Sequence, residues 1–312
     1  MSLVVDVVYT WVTDTLAHRQ KRRTYLGTKK APKDNGINRY SDHSELKYSI
    51  RSIYKFAPWV HAIYIVCDDD QRPAWLHRRS EECNIPIYVI KHSTIIPIDH
   101  LPTFNSQAIE AHLHRIPGLS EHFIYFNDDM FLGNACTTDD FFTSEGRPRY
   151  YLHGSTASRI VPNMSKHAYA WFNNNRLLDH LFGKRAKRPY PTHQAVAMLK
   201  SSFEAVWNHD VIRPHLERTS SSRFRETHNV YLIGFLVYWN IQHRLAGQGR
   251  HRGMYLNYSD ALNYHYALLR IELSKPVLFC INDNLCLRRK IGEMHLARFF
   301  RRFFNWTTIA EL

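Results

Sequence analysis

Two successive carboxylates, Asp128 and Asp129, follow Asn127 at the end of the run HFIYF (His122 to Phe126). Adjacent carboxylates pack poorly and are good ligands for a hard cation. A second pair, Asn282 and Asp283, closes the run PVLFCI (Pro276 to Ile281). Set on strands of one open α/β sheet, the two pairs would lie outside the carboxyl ends of the strands, where such sheets bind ligands. A divalent ion held by carboxylates and bridging phosphate oxygens is the usual design of a nucleotide-diphosphate site. Arginines would add bidentate phosphate contacts. The residues alone thus point to a metal-dependent enzyme acting on a nucleotide or nucleotide sugar. The plainer reading of Asn-Asp-Asp is an Asp-rich turn; the long apolar run in front of it favours the functional one.

The elements that must position these groups alternate. Val4 to Val12 (VVDVVYTWV) is apolar except at Asp6 and Thr10, as suits a parallel strand covered on both faces. Residues 15–41 are polar and basic, the start of a helix and then a loop. DHSELKYSIRSIYKF predicts a helix with Leu46, Ile50 and Ile53 as its buried stripe and Asp42 with Glu45 as a capping box. Ala62 to Cys67 and Ile85 to Ile90 predict the next two strands. Asn105 or Ser106 can cap a helix carrying Ile109, Leu113 and Ile116, which Pro117 and Gly118 stop. HFIYF is the fourth strand. Strand–helix–strand alternation implies a parallel sheet built from βαβ units. After residue 150 the pattern changes. YYLHGSTAS predicts another strand, Thr192 to Trp207 a helix with Val196, Leu199, Phe203 and Val206 on one face, and Arg225 to Arg244 a long helix. Glu293 to Trp306 alternates Arg with Phe and is amphipathic. The expected organisation is one catalytic domain over 1–312. An α/β core occupies 1–150, a mainly helical insertion 151–270, and a return strand with a C-terminal helix 271–312.

Composition bounds the function. An apolar content of 44% and a charged content of 22% over 312 residues are those of an ordinary globular chain. A net charge of +13 favours anionic partners: nucleotides, nucleic acid, acidic glycans or an anionic membrane. No RNA-binding motif, helix-turn-helix or finger pattern supports nucleic acid. Five scattered cysteines without a CxxC argue for a reducing compartment and against a zinc site. No signal peptide or spanning segment is evident, so a cytoplasmic protein is expected. GQGRHRG (Gly247 to Gly253) has the wrong spacing and context for a phosphate loop. His112 and His114 would point different ways on a helix, which argues against a shared metal.

Four blocks carry a more specific signal. They are DVVYTWV (Asp6 to Val12); a long block from about Arg39 to Gly133 containing ELKYSIRSIYKFAPWVHAIYIV and LPTFNSQAIEAHLHRIPGLSEHFIYFNDDMF; His193 through the FR of Phe224 and Arg225; and VLFCINDN (Val277 to Asn284) with the tail to Glu311. In this order the chain resembles the Stealth family of sugar-phosphate transferases, which includes capsule polymerases and GlcNAc-1-phosphotransferase. The resemblance implies a Rossmann-like, GT-A-like sheet, a UDP-sugar donor such as UDP-GlcNAc with Mg²⁺ or Mn²⁺, and a glycan acceptor. It implies transfer of a hexose 1-phosphate to an acceptor hydroxyl, in capsule or exopolysaccharide synthesis, with release of UMP. Attack is then on phosphorus, a reaction carried by positioning and charge neutralisation.

Under that resemblance Asp6 and Trp11 lie where the nucleotide docks, with Arg39, Asn127 and Asn282 as further donor contacts. Asp128, Asp129 and Asp283 serve the metal and diphosphate, and either Asp128 or Asp129 could instead act as base. His193 is the preferred general base or acceptor-orienting group, and Arg225 stabilises phosphate charge. Arg39, Asp42 and Glu45 match the family as well, though a helix cap explains the last two. Two departures stand out. Relatives usually carry an acid four residues after the Arg, where this chain has Asn229; and Thr13 and Asp14 follow the WV of the first block. The alternatives are a GT-A-type glycosyltransferase releasing UDP and a non-catalytic anion-binding or glycan-binding module. The tail RFFRRFF (Arg298 to Phe304) could make a peripheral membrane contact, but a core-packed helix with solvated arginines is preferred.

Overall fold

The computed structural model describes residues 3–27, 43–76, 84–156, 160–183, 185–249, 253–257, 259–282 and 289–304. The strands that matter for the site are β1 (Val5–Thr10), β2 (Ile63–Cys67), β3 (Ile87–Lys91), β4 (His122–Asn127), β5 (Met130–Leu132), β6 (Val196–Leu199), β7 (Met254–Leu256) and β8 (Leu278–Ile281). The helices are α1 (Leu16–Leu26), α2 (Glu45–Phe56), α3 (Ser106–Glu110), α4 (Lys166–Phe182), α5 (Lys200–Trp207), α6 (Arg213–Ser220), α7 (Leu232–Gln242), α8 (Ala261–Ser274) and α9 (Arg289–Phe303).

The main sheet has the order β3-β2-β1-β4-β6. The first four strands are parallel and β6 is antiparallel to β4. This is an α/β fold with a mostly parallel central sheet. Val5, Val7, Tyr9 and Trp11 face one core, against Leu46, Ile50 and Ile53 of α2. Val8 and Tyr125 face another, against α5 and the almost wholly apolar α7. A smaller sheet, β7-β8-β5, packs on α8 and α9 through Phe131, Phe279, Phe299 and Phe300.

Several expectations need correction. Val196 to Leu199 is a strand, because its backbone pairs with Tyr125 to His122 of β4; only Lys200 to Trp207 is helical. The helix expected from Arg225 begins at Leu232. The helix expected through Ile116 is one short α-turn capped by Asn105, then a 3₁₀ turn at Leu113–Arg115. At the start of α2 the cap is Ser44, in the left-handed region at φ 71°, and the Glu45 carboxylate accepts from the His43 N–H. Asp42 lies outside the described residues.

Two buried serines of α2 fix the acidic hairpin after β4. Ser49 bonds the Tyr9 hydroxyl at 2.7 Å and donates to the Met130 carbonyl, while Ser52 Oγ accepts from the Leu132 N–H at 3.0 Å. These bonds hold the turn carrying Asp128 and Asp129 to a helix that is itself anchored in the core.

Candidate active site at the carboxyl ends of the sheet

The turn after β4 meets β8. The Ile281 N–H donates to the Asp129 carbonyl at 2.9 Å, and Asn282 N–H donates to Leu256 O at 2.9 Å. Cys280 faces the same side of β8 as Leu278, which places its thiol against Asp129. His193 comes from the segment just before β6. Its exposed ring lies edge-on to Tyr255 at 5.1 Å between centroids. One ligand atom each from Asp129, His193 and Cys280 falls within 4.8 Å of the others. Burial pushes the Asp129 carboxyl up from its ordinary value, with His193 and the Cys280 thiol opposing that shift. Asp129 Oδ1 is shielded from solvent without a hydrogen-bond partner. A shielded carboxylate oxygen with nothing to bond is costly, and a cation would satisfy it.

A divalent cation therefore fits this place. Asp129 supplies a carboxylate, with Asp128 beside it in the same turn. Imidazole and thiol widen the donor set beyond the oxygens that Mg²⁺ prefers. Asp283, expected as a further ligand, lies outside the described residues, as does Arg39. Asn282 is at the site's edge, its amide donating to the Tyr255 hydroxyl at 2.8 Å.

Arg225 reaches the same end of the sheet from the loop between α6 and α7. Its Nη2 donates to Ser106 Oγ at 2.5 Å, and Lys166 Nζ holds its carbonyl at 2.5 Å. Beneath it lies Glu110, whose carboxyl is pushed up to about 7 by burial, while Arg225, Tyr125 and Ser106 pull the other way. Tyr125 connects this group to the acidic turn. Its hydroxyl lies 3.3 Å from Glu110 Oε1, 2.7 Å from Asn127 Oδ1 and 2.9 Å from Thr10 Oγ1. Asn127 thus marks where the two halves of the site join.

Trp11 follows β1 at the same end and is buried in the core, its N–H on the Val66 carbonyl at 2.9 Å. Asp6 is at the other end. It lies near the start of β1, about 13 Å of extended chain below Thr10. It is fully buried and accepts from Ser120 N–H at 2.7 Å and His61 Nδ1 at 2.9 Å. The structure does not bring Asp6 to the strand ends, so nucleotide docking does not fit this residue. The resemblance of the first block suggested a ligand contact, but its position in the strand suits a clasp on the loop before β4.

Asn229, in the place where an acid is usual, is also internal. Its Oδ1 accepts from Asn105 Nδ2 and from the Glu226 N–H, and its Nδ2 donates to Ser222 Oγ. It shapes the loop that carries Arg225.

Sequence reasoning missed Cys280 and Glu110. Cys280 sits in an apolar run where a thiol looks like core, but its alternation with Asn282 on the strand was a usable signal. Glu110, one turn after Ser106 on α3, was legible only as a solvated helix residue. A polar cluster also lies at the ends of β2 and β3. Lys21 bridges Asp68 at 2.9 Å and Asp70 at 3.0 Å. Next to it, buried His92 is held down to about 4 by desolvation.

The fold and the site together define an α/β protein with a candidate cation site at the carboxyl ends of a mostly parallel sheet. Residues 39–150 match the model for Stealth protein CR2, conserved region 2. The capsular polysaccharide phosphotransferase fcs1 of Haemophilus influenzae is 33% identical, covering 96% of this chain and 84% of its own length. The capsular polysaccharide phosphotransferase LcbA of Aeromonas hydrophila is 36% identical, over 89% of this chain and 78% of its own length. Among solved structures, galactosyltransferase LgtC in complex with donor and acceptor sugar analogues is similar at a TM-score of 0.47 and 10% identity, over 97% of each chain. The chain belongs to the Stealth family and is a phosphotransferase. Among the described residues no helix is long and apolar enough to cross a membrane.

Proposed function

We propose that the protein moves a hexose 1-phosphate from a UDP-sugar onto a hydroxyl of a glycan acceptor, forming a phosphodiester and releasing UMP. The observation that carries this reading is the shielded, unsatisfied Asp129 oxygen facing an exposed imidazole at the carboxyl end of β4. A bound Mg²⁺ or Mn²⁺ would supply Lewis-acid neutralisation of the diphosphate. Asp128 and Asp129 would hold it, with Asp283 as a further ligand. Asn127 and Asn282 would line the donor side, with Trp11 buried at the same end of the sheet.

In the reaction the acceptor oxygen attacks the β-phosphorus of the donor. The bond from that phosphorus to the bridging oxygen breaks, and the electron pair leaves with UMP. His193 accepts the proton of the acceptor hydroxyl; it is the exposed member of the cluster and so the one an acceptor can reach. Arg225 faces the charge on the transferred phosphoryl group. Its bond to Ser106 restricts the guanidinium before substrate arrives, and Lys166 fixes its main-chain carbonyl, so less reorganisation is required.

The test is nucleotide release from UDP-GlcNAc with Mg²⁺ and a mixed glycan acceptor, resolved by anion exchange. UMP that requires acceptor and metal, and that Asp129→Asn abolishes, is the expected result. UDP as the product would instead assign a glycosyltransferase that attacks the anomeric carbon.

A further inference from the structure

Five of the fourteen large hydrophobic side chains exposed among the described residues lie on two neighbouring helices, α8 and α9. Leu262, Tyr266 and Leu273 fall at i, i+4 and i+11 of α8, one stripe along the helix, with half-buried Leu269 between them. Leu273 is 86% exposed. Ile291 and Met294 continue the apolar surface on α9, where Met294 is 71% exposed. The helices run side by side in the same direction. The His265 and His295 rings meet at 4.3 Å between centroids near one end, and Arg302 meets Glu272 at 3.1 Å nearer the other.

The opposite faces of both helices are sealed. Leu268 and Ile271 of α8, with Phe299 and Phe300 of α9, fill the core beneath the small sheet. The phenylalanines of the basic tail are therefore packing residues, and the tail's own Phe side is unavailable to a membrane. The exposed stripe contributes nothing to that core, so the fold does not require it.

Charge singles out the partner. Arg270, Lys275, Lys290, Arg298 and Arg301 are exposed around the stripe, and no ion pair among the described residues uses them. The acids on these helices, Glu272 and Glu293, are already paired with Arg302 and Arg289. A second copy would bring this basic rim against itself without an acid to offset it. A nucleic acid would leave the apolar centre unmatched. A lipid surface with anionic headgroups matches both parts: phosphates for the rim and the headgroup–acyl boundary for the stripe.

We propose that the exposed face of α8 and α9 docks on an anionic lipid bilayer. Leu273, Met294 and Tyr266 enter the headgroup layer, and the surrounding arginines and lysines meet the lipid phosphates. This surface is separate from the transfer site, and its test does not depend on the reaction.

The full chain is sedimented with vesicles of phosphatidylcholine alone or of phosphatidylcholine and phosphatidylglycerol in equal parts. Binding to the anionic vesicles should exceed binding to the neutral ones at least about tenfold and fall with added salt. Leu273→Asp with Met294→Asp, and separately Arg298→Glu with Arg301→Glu, should each weaken it at least about tenfold at an unchanged melting temperature. Leu273→Ser with Met294→Ser serves if the aspartate pair unfolds. Absence of binding to the anionic vesicles overturns the proposal. So does binding that both pairs of substitutions leave intact. A dimer seen by light scattering and dissociated by the aspartate pair would give the face to a second copy instead.

Discussion

Arg225 and Glu110 oppose one another across the floor of the site. Burial drives the Glu110 carboxyl up, the Arg225 guanidinium draws it down, and Ser106 interacts with both. The pair joins Arg225 to the acidic turn through Tyr125 and Asn127. A change at Glu110 should therefore be felt in both stability and transfer.

The sign of its pH dependence follows from the raised carboxyl. The folded value is about 7, against 4.5 ordinarily. Between these values the folded chain keeps a proton that the unfolded chain has released. Glu110 thus contributes stability that is fully present at low pH and is lost as pH rises through this window, about 3 kcal/mol in all. Urea unfolding from pH 5 to 8 should show Glu110→Gln removing that falling component. An unchanged profile in the variant would contradict it.

Three buried histidines act in the opposite direction. Desolvation lowers His92 to about 4, His112 to about 2 and His114 to about 3. Each is neutral when folded and protonates more readily when unfolded, so its contribution is present above about pH 6.5 and is lost as pH falls. Between pH 6.5 and 5 the loss is about 2 kcal/mol per histidine. His112 bonds Ser220 Oγ at 2.5 Å and stacks on Trp207. His112→Gln should flatten the acid limb of the urea-derived stability curve even where it lowers the plateau.

Asn229 is a test of position against chemistry. Asn229→Asp keeps both bonds accepted by Oδ1 and loses the one donated to Ser222. It should cost about 1 kcal/mol and leave transfer within about tenfold of the parent. Asn229→Ala strands the Glu226 N–H and the Asn105 amide, and should cost about 2–3 kcal/mol. A large rise in activity on Asn229→Asp would show that the acid has a direct role.

Arg225→Lys retains the charge but cannot reproduce the planar fork. Loss of a donor aimed at developing phosphate charge costs about 10²–10³ in kcat. Arg225→Ala should fall in or below that range with a native circular dichroism spectrum, and Arg225→Lys should recover part of the loss. Steady-state UMP release checks both. Retained kcat in Arg225→Ala would remove this residue from the transfer step.

Much of this architecture was legible where the signal was local. HFIYF followed by Asn-Asp-Asp marked both a central strand and the acidic turn at its end, because a buried parallel strand needs an unbroken apolar run. Val196, Leu199, Phe203 and Val206 misled because their 3-4-3 spacing is also that of a helix. The pairing of Val196 to Leu199 with β4 is a tertiary fact, and it sets the segment that presents His193. Asp6 was placed at the nucleotide by the resemblance of the first block, whereas its role depends on which end of β1 it occupies. Cys280 and Glu110 were hidden for a shared reason: a thiol in an apolar run and a glutamate on a helix look ordinary until another element is laid across them.

The central claim is that the acceptor attacks phosphorus, and the fate of the donor's β-phosphate tests it most directly. A UDP-sugar radiolabelled at that phosphate is incubated with the protein, a divalent metal and the glycan acceptor. The account predicts label in the glycan, resistant to phosphatase, with unlabelled UMP in solution. Label recovered in UDP, with an unlabelled glycan product, would contradict it.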